Sequence, residues 1–221
     1  MINIAIDGPA GAGKSTLSRK LAAELGYIYV DTGALYRALG LKYSALGFDT
    51  ELKGDIEAVL EDTTVDIRFV DGAQRVYLDG KDVSDDIRTP VASMMASAVS
   101  AKPPVRAFLL DMQRRLAKTN NVVMDGRDIG TVVLPDAKVK IFLTADVEIR
   151  AKRRYDELME KGSSVTFEEV LEDMKQRDYN DSHRPIAPLK QAEDAVLADT
   201  GNLNFEESLE LLKKIIAEGT K

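Results

Sequence analysis

The chain has no cysteine, a single histidine and, within its 221 residues, no apolar run long enough to cross a bilayer. Without thiols there are no disulfides and no thiolate metal centres, which agrees with a reducing compartment, the cytoplasm. No signal-type apolar segment precedes the strand pattern that starts at Ile2, so a cytoplasmic chain without a membrane partner is expected. Basic residues are short as well. Thirty Lys and Arg against 37 Asp and Glu leave a formal net charge of −7, which argues against a general nucleic-acid binder. Solenoid or propeller repeats and low-complexity segments are also missing.

What is present begins at residue 8. Gly8-Pro9-Ala10-Gly11-Ala12-Gly13-Lys14-Ser15-Thr16 follows the apolar run Ile2–Ile6 and leads into a helical pattern near Lys14. This is G-x-x-x-x-G-K-[ST] in its strand–loop–helix setting. Glycines let the backbone curl so that its N–H groups form a nest for phosphates, and the following helix adds the positive end of its dipole. Lys14 is expected to reach the β and γ phosphates and the Ser15 hydroxyl to ligate Mg²⁺. A bound nucleoside triphosphate is therefore expected.

Short apolar runs alternate with longer amphipathic ones, the pattern of an α/β fold with a parallel sheet. Core strands are expected over Asn3–Asp7, Ile28–Asp31, Asn121–Asp125, Lys140–Leu143 and Ala195–Asp199, each covered on both faces. Helices are expected at Lys14–Leu25, Ala34–Leu46, Ile56–Glu61, Thr89–Val99, Pro103–Lys118, Val147–Lys161, Phe167–Asp181 and Phe205–Glu218, the seventh opening on Thr166 and Glu169 in the pattern of a capping box. One stretch breaks the alternation: Thr64–Val70 and Gln74–Leu78 flank Asp71-Gly72 and predict an antiparallel hairpin. Residues 40–95 are accordingly expected to be an inserted subdomain that covers a substrate, with a core of 1–39 and 96–221.

Three core strands end in an acid: Asp7, Asp31 and Asp125. Ligands bind at the carboxyl ends of parallel strands, so these acids are expected to line one crevice. Asp125 closes an apolar strand in the manner of a Walker B residue that helps to hold Mg²⁺. It opens Asp125-Gly126-Arg127-Asp128-Ile129-Gly130-Thr131, where Arg127 suits a phosphate and Asp128 an amino group or a hydroxyl. Thr32 is expected to cap the helix that carries Tyr36 and Arg37, a second anion site. Further on, arginines crowd residues 150–184, a stretch read as a mobile lid closing on phosphates. Within it, Arg153, Arg154, Arg177 and Arg184 are the candidates, while Arg150 and Lys152 read as a solvated helix face. His183 reads as a surface or hinge residue, because phosphoryl transfer depends mainly on positioning and electrostatics.

These segments, with Val83-Ser84, Ile87-Arg88-Thr89, Ser97 and Arg106, resemble the bacterial cytidylate kinases, P-loop nucleoside monophosphate kinases, over nearly the whole chain. The resemblance implies a P-loop NTPase three-layer sandwich with a central parallel five-stranded sheet, an inserted monophosphate-binding subdomain with antiparallel strands, and a helical lid. It also implies a reaction, ATP with CMP or dCMP giving ADP with CDP or dCDP, assisted by Mg²⁺, in a monomer. By the same resemblance Arg37, Arg127 and Arg177 hold the acceptor phosphate. Ser97, Arg106 and Asp128 read the cytosine edge, Thr32 helps to fix the nucleotide and Asp181 meets the sugar hydroxyls. Arg184, with Arg153 or Arg154, steadies the transferring group. Thr32 stands where the family's second motif often has serine. A uridylate-preferring kinase is the nearest alternative. A GTP-binding switch is disfavoured because N-K-x-D is absent, and a nucleotide-binding module without turnover stays open.

Overall fold

The computed structural model describes residues 1–221. Five strands, β1 (Asn3–Asp7), β2 (Ile28–Asp31), β6 (Val122–Gly126), β7 (Val139–Thr144) and β8 (Val196–Asp199), form a sheet in the order β2-β6-β1-β7-β8. The central parallel sheet expected from the alternating pattern is therefore present, with Ile6 beside Ile141 and Phe142 beside Leu197 in parallel register. β3 (Val65–Val70), β4 (Ala73–Leu78) and β5 (Lys81–Asp82) make a separate antiparallel sheet. Its turn is the expected Asp71-Gly72, and both residues have positive φ (51° and 75°). The two-residue strand β5 carries too little pattern to be legible in sequence.

The chain divides into two compact units, one spanning Ile28–Val122 and the other Ile2–Tyr27 with Val123–Lys221. In the first, α2 (Thr32–Ala45), α3 (Ile56–Glu61), α4 (Pro90–Ser100) and α5 (Pro103–Thr119) join the small sheet around a core that includes Leu35, Leu39, Tyr43, Val76, Leu78, Met95, Val99 and Leu109. Helices α2 and α4 approach closely because residue 40 is glycine. A Cβ there would lie 2.9 Å from both the Ala96 nitrogen and the Met95 Cβ. In the second unit, α1 (Lys14–Leu25) packs beside α8 (Phe205–Gly219), which opens on an Asn204/Glu207 capping box. The same unit holds α6 (Val147–Glu160) and α7 (Phe167–His183), which share a small apolar core of Ala151, Val170 and Met174. The capping box expected at Thr166 and Glu169 is formed.

Two local expectations fail. Strand β8 is not covered on both faces: it is the edge of the sheet, and Leu197 is 55% exposed. Residues 129–133, read as loop, wind into a π-helical turn in which the Val133 N–H donates to the Asp128 carbonyl and Leu134 to Ile129. Such a turn is too short for periodicity to reveal, and it is a known signature of functional segments.

Candidate active site

The chain leaves β1 at Gly8 with φ +151°, and a Cβ there would sit 2.0 Å from the Leu143 carbonyl oxygen, so no other residue fits. The loop ends at Gly13, the left-handed N-cap of α1, which supplies no side-chain acceptor. First-turn N–H groups of α1 are thus left for an anion. Lys14 is only 6% exposed and donates to the Pro9 carbonyl at 2.6 Å. Burial first, and Arg127 second, push its ammonium from 10.5 down to about 7, against the pull of Asp125, Asp181 and Asp7. An ammonium in that position gains strongly from incoming phosphate charge.

Ser15 Oγ donates to Asp125 Oδ2 at 3.0 Å, so the two proposed Mg²⁺ ligands are adjacent. Both are hard oxygen donors, as Mg²⁺ requires. No group of three or more His, Cys, Asp or Glu that could hold a metal occurs in the chain. The donor set therefore fits an ion held jointly with nucleotide phosphates and waters.

Asp7, at the carboxyl end of β1, accepts from the N–H groups of Ile129 and Gly130, both at 2.7 Å. It thereby anchors the π-helical turn that follows Arg127 and Asp128. Burial raises its carboxyl from 3.8 to about 6, in spite of those two donors and Lys14. The folded state thus holds the proton more tightly than the unfolded state between the two values. The resulting stability is fully present below the unfolded pKa and is lost as pH rises through the folded one. In Asp7→Asn this decline between about pH 4 and pH 6 should vanish, which urea melts across that window will test; an unchanged slope would deny the raised pKa.

Arg127 donates to Asp181 Oδ2 at 2.8 Å through Nε and to the Gly126 carbonyl at 3.3 Å. Burial works against its charge, but Asp181 and then Asp125 hold the guanidinium above its ordinary value. Arg177 is half-buried near Arg127 and Asp181 and has no hydrogen bond or ion pair. Burial, with the like charge of Arg127, lowers its pKa. Arg184 is buried and donates to Asp128 Oδ1 at 3.2 Å and to the Ala187 carbonyl at 2.7 Å. Arg153 donates to the Thr200 carbonyl and Arg154 to Glu157, so these two are engaged elsewhere in the second unit. His183 is exposed and stacks on Tyr179 with ring centroids 4.0 Å apart, in keeping with a surface residue.

Arg150 overturns its reading as solvated face. It is 5% exposed and donates to the carbonyls of Ala145 and Ala10 and to Asp178 Oδ2. One guanidinium thus ties the phosphate loop to both α6 and α7. Nothing in a helical charge run distinguishes the one arginine that faces inward, and two of its partners, Ala10 and Asp178, lie far away in sequence. Lys152, by contrast, is exposed as expected and pairs with Asp156.

The first unit holds the remaining candidates. Thr32 is buried but does not cap α2. The helix starts at Thr32 itself, so Asp31 takes the N-cap position and its Oδ1 accepts from the Ala34 N–H at 2.9 Å. A carboxylate there also complements the helix dipole. Asp31 Oδ2 accepts from Arg37 at 2.8 Å. Buried Arg106 lies over the Tyr36 ring at 5.6 Å and donates to the Ser100 carbonyl. Ser97 is half-buried on α4, and its carbonyl accepts from Ser100 Oγ.

Residues 4–218 match the family model for cytidylate kinase. The cytidylate kinase of Caldicellulosiruptor saccharolyticus is 54% identical over 219 residues, covering 97% of each chain. That of Caldanaerobacter subterraneus subsp. tengcongensis is 52% identical, covering 100% of this chain and 96% of its own. The fold is shared with a shikimate kinase from Bacteroides thetaiotaomicron at TM-score 0.50 and 13% identity, over 98% of both chains. An uncharacterized protein from Eubacterium ventriosum shares it at TM-score 0.54 and 16% identity, over 98% of this chain and 99% of that one. The family model over residues 4–218, together with cytidylate kinases 54% and 52% identical over nearly their whole length, shows that the chain belongs to the cytidylate kinase family of nucleoside monophosphate kinases.

Proposed function

We propose that the chain transfers the γ-phosphoryl group of ATP to CMP and dCMP. The observation that carries this reading is Arg177, a half-buried guanidinium with no hydrogen bond or ion pair in a cluster with Arg127 and Asp181, where a phosphate would give it an anion to bond. An oxygen of the acceptor phosphate attacks Pγ, the bond from Pγ to the bridging oxygen breaks, and its electron pair leaves on ADP. The phosphate-loop amides and Lys14 bind the donor's phosphates. Mg²⁺, held by Ser15 and Asp125 together with phosphate oxygens, would neutralise the charge developing there. Arg127, Arg177 and Arg37 take the acceptor phosphate, and Arg184 with Arg153 or Arg154 steadies the group in flight once residues 150–184 close. Asp181 meets the sugar hydroxyls, Thr32 helps to fix the nucleotide, and Ser97, Arg106 and Asp128 read the base. Residues 40–95 act as the inserted monophosphate-binding subdomain. The protein works as a monomer in the cytoplasm, on nucleotides and not on nucleic acid. No helix is long and apolar enough to cross a membrane.

Coupled ADP release measured against a panel of monophosphates tests the reaction: turnover with CMP and dCMP is expected, and none with any monophosphate would refute it. Base reading has its own test. Cytosine offers an N4 amino donor and uracil does not, so Asp128→Ala should narrow the CMP-over-UMP ratio of kcat/KM by about 10- to 100-fold. Loss of the Arg184 partner affects both substrates alike and cancels in that ratio. An unchanged ratio would remove Asp128 from base recognition.

A further inference from the structure

Strand β2 is an edge of the five-stranded sheet, so the outward N–H and C=O of its last residue have no strand to pair with. The structure gives them a side chain instead. Gln74 Oε1 accepts from the Asp31 N–H at 2.8 Å, and Gln74 Nε2 donates to the Asp31 carbonyl at 3.2 Å. One carboxamide thus imitates one rung of a β-ladder. Gln74 is firmly held, because it lies on β4, the middle strand of the small sheet, opposite Phe69. It shares a strand face with Val76 and Leu78, which are buried in the core of the unit.

Asp31 uses its carboxylate for two further bonds, one fixing the start of α2 and one gripping the Arg37 guanidinium. Gln74 and Arg37 are therefore linked within the first unit through Asp31, one by hydrogen bonds to its backbone and the other by a hydrogen bond to its carboxylate. Without Gln74 the outward N–H and carbonyl of Asp31 would lose both bonds, and the residue would be held only by β2 itself and by its carboxylate bonds to Ala34 and Arg37. A shift of about 1 Å at a charged ligand-binding group can cost a large factor in rate.

We propose that Gln74 is a positioning residue for the acceptor phosphate, holding Arg37 through Asp31 and so giving the antiparallel hairpin an indirect part in substrate binding. This rests on the assignment of Arg37 to the acceptor phosphate. The test uses the full chain and steady-state kinetics in which CMP and ATP are varied separately. Gln74→Met keeps the stem and removes both amide bonds; it should raise the KM for CMP about tenfold and leave the KM for ATP within about twofold. Arg37→Ala alone should raise the KM for CMP by about 30-fold or more. The double variant should be no worse than Arg37→Ala, because Gln74 acts through Arg37.

The outcomes separate the two ideas. If Arg37→Ala leaves the KM for CMP unchanged, the role of Arg37 is wrong. If Arg37→Ala is impaired but Gln74→Met is not, or if the two losses add in full, Gln74 does not position Arg37. Should Gln74→Met melt too low to assay, Gln74→Glu keeps the acceptor for the Asp31 N–H and should give a smaller rise that is again selective for CMP. Equal rises in both KM values would mark a merely structural residue and overturn the proposal.

Discussion

Lys14→Ala should lower kcat by about 10³-fold and leave the fold standing. The ammonium is buried, its nearest acceptor is the Pro9 carbonyl, and burial has already pushed its pKa down to about 7. Such a group costs the empty protein stability, so its removal should hold or raise the melting temperature. Its return comes only when negative charge gathers on the donor's β and γ oxygens during transfer, which is why the loss falls on kcat more than on ATP binding. The phosphate-loop amides remain and still bind ATP. Coupled ADP release and a thermal melt on the same preparation decide the matter. A variant that keeps a tenth of the wild-type kcat, or that unfolds, contradicts this account.

Arg127→Ala should be as damaging to turnover and, unlike the lysine change, should also weaken the fold. The half-buried side chain pairs with buried Asp181, and Arg127 is the first of the charges that offset the burial of that carboxylate. Removing it leaves Asp181 among fewer cations in a poorly solvated place, at a cost of about 3 kcal/mol in urea melts. The kcat/KM for CMP should fall by about 10³-fold, since a guanidinium aimed at a phosphate is lost together with the anchor of Asp181. Arg127→Lys keeps the charge without the planar fork. It should recover most of the stability and little of the activity. If lysine restores both, charge alone suffices and the forked geometry has no role.

The phosphate loop, the order of strands and helices and the hairpin were all legible in the sequence. Each depends on short-range rules: glycine at an obligatory turn, apolar alternation, a capping box, the Asp71-Gly72 pair. The same rules misplaced the cap of α2 by one residue, because Asp31 and Thr32 are both good caps and the start of the helix chooses between them. They passed over the π-helical turn and β5, whose lengths of 5 and 2 residues leave periodicity nothing to act on.

The arginines mark the boundary most clearly. Arg150, Arg153, Arg154, Arg177 and Arg184 are spelled alike, and their crowding within residues 150–184 was enough to suggest a lid closing on phosphates. Only packing decided that Arg150 is sealed against the phosphate loop, that Arg153 and Arg154 are occupied, and that Arg177 makes no hydrogen bond or ion pair. Gln74 carries no sequence signal at all, since its partner is a peptide 43 residues earlier at a sheet edge. By itself the sequence determined the elements and the nucleotide-binding loop, because those follow from neighbours along the chain. Tertiary structure decided which charges are spent and which stay available, because desolvation and pairing depend on what the fold brings alongside.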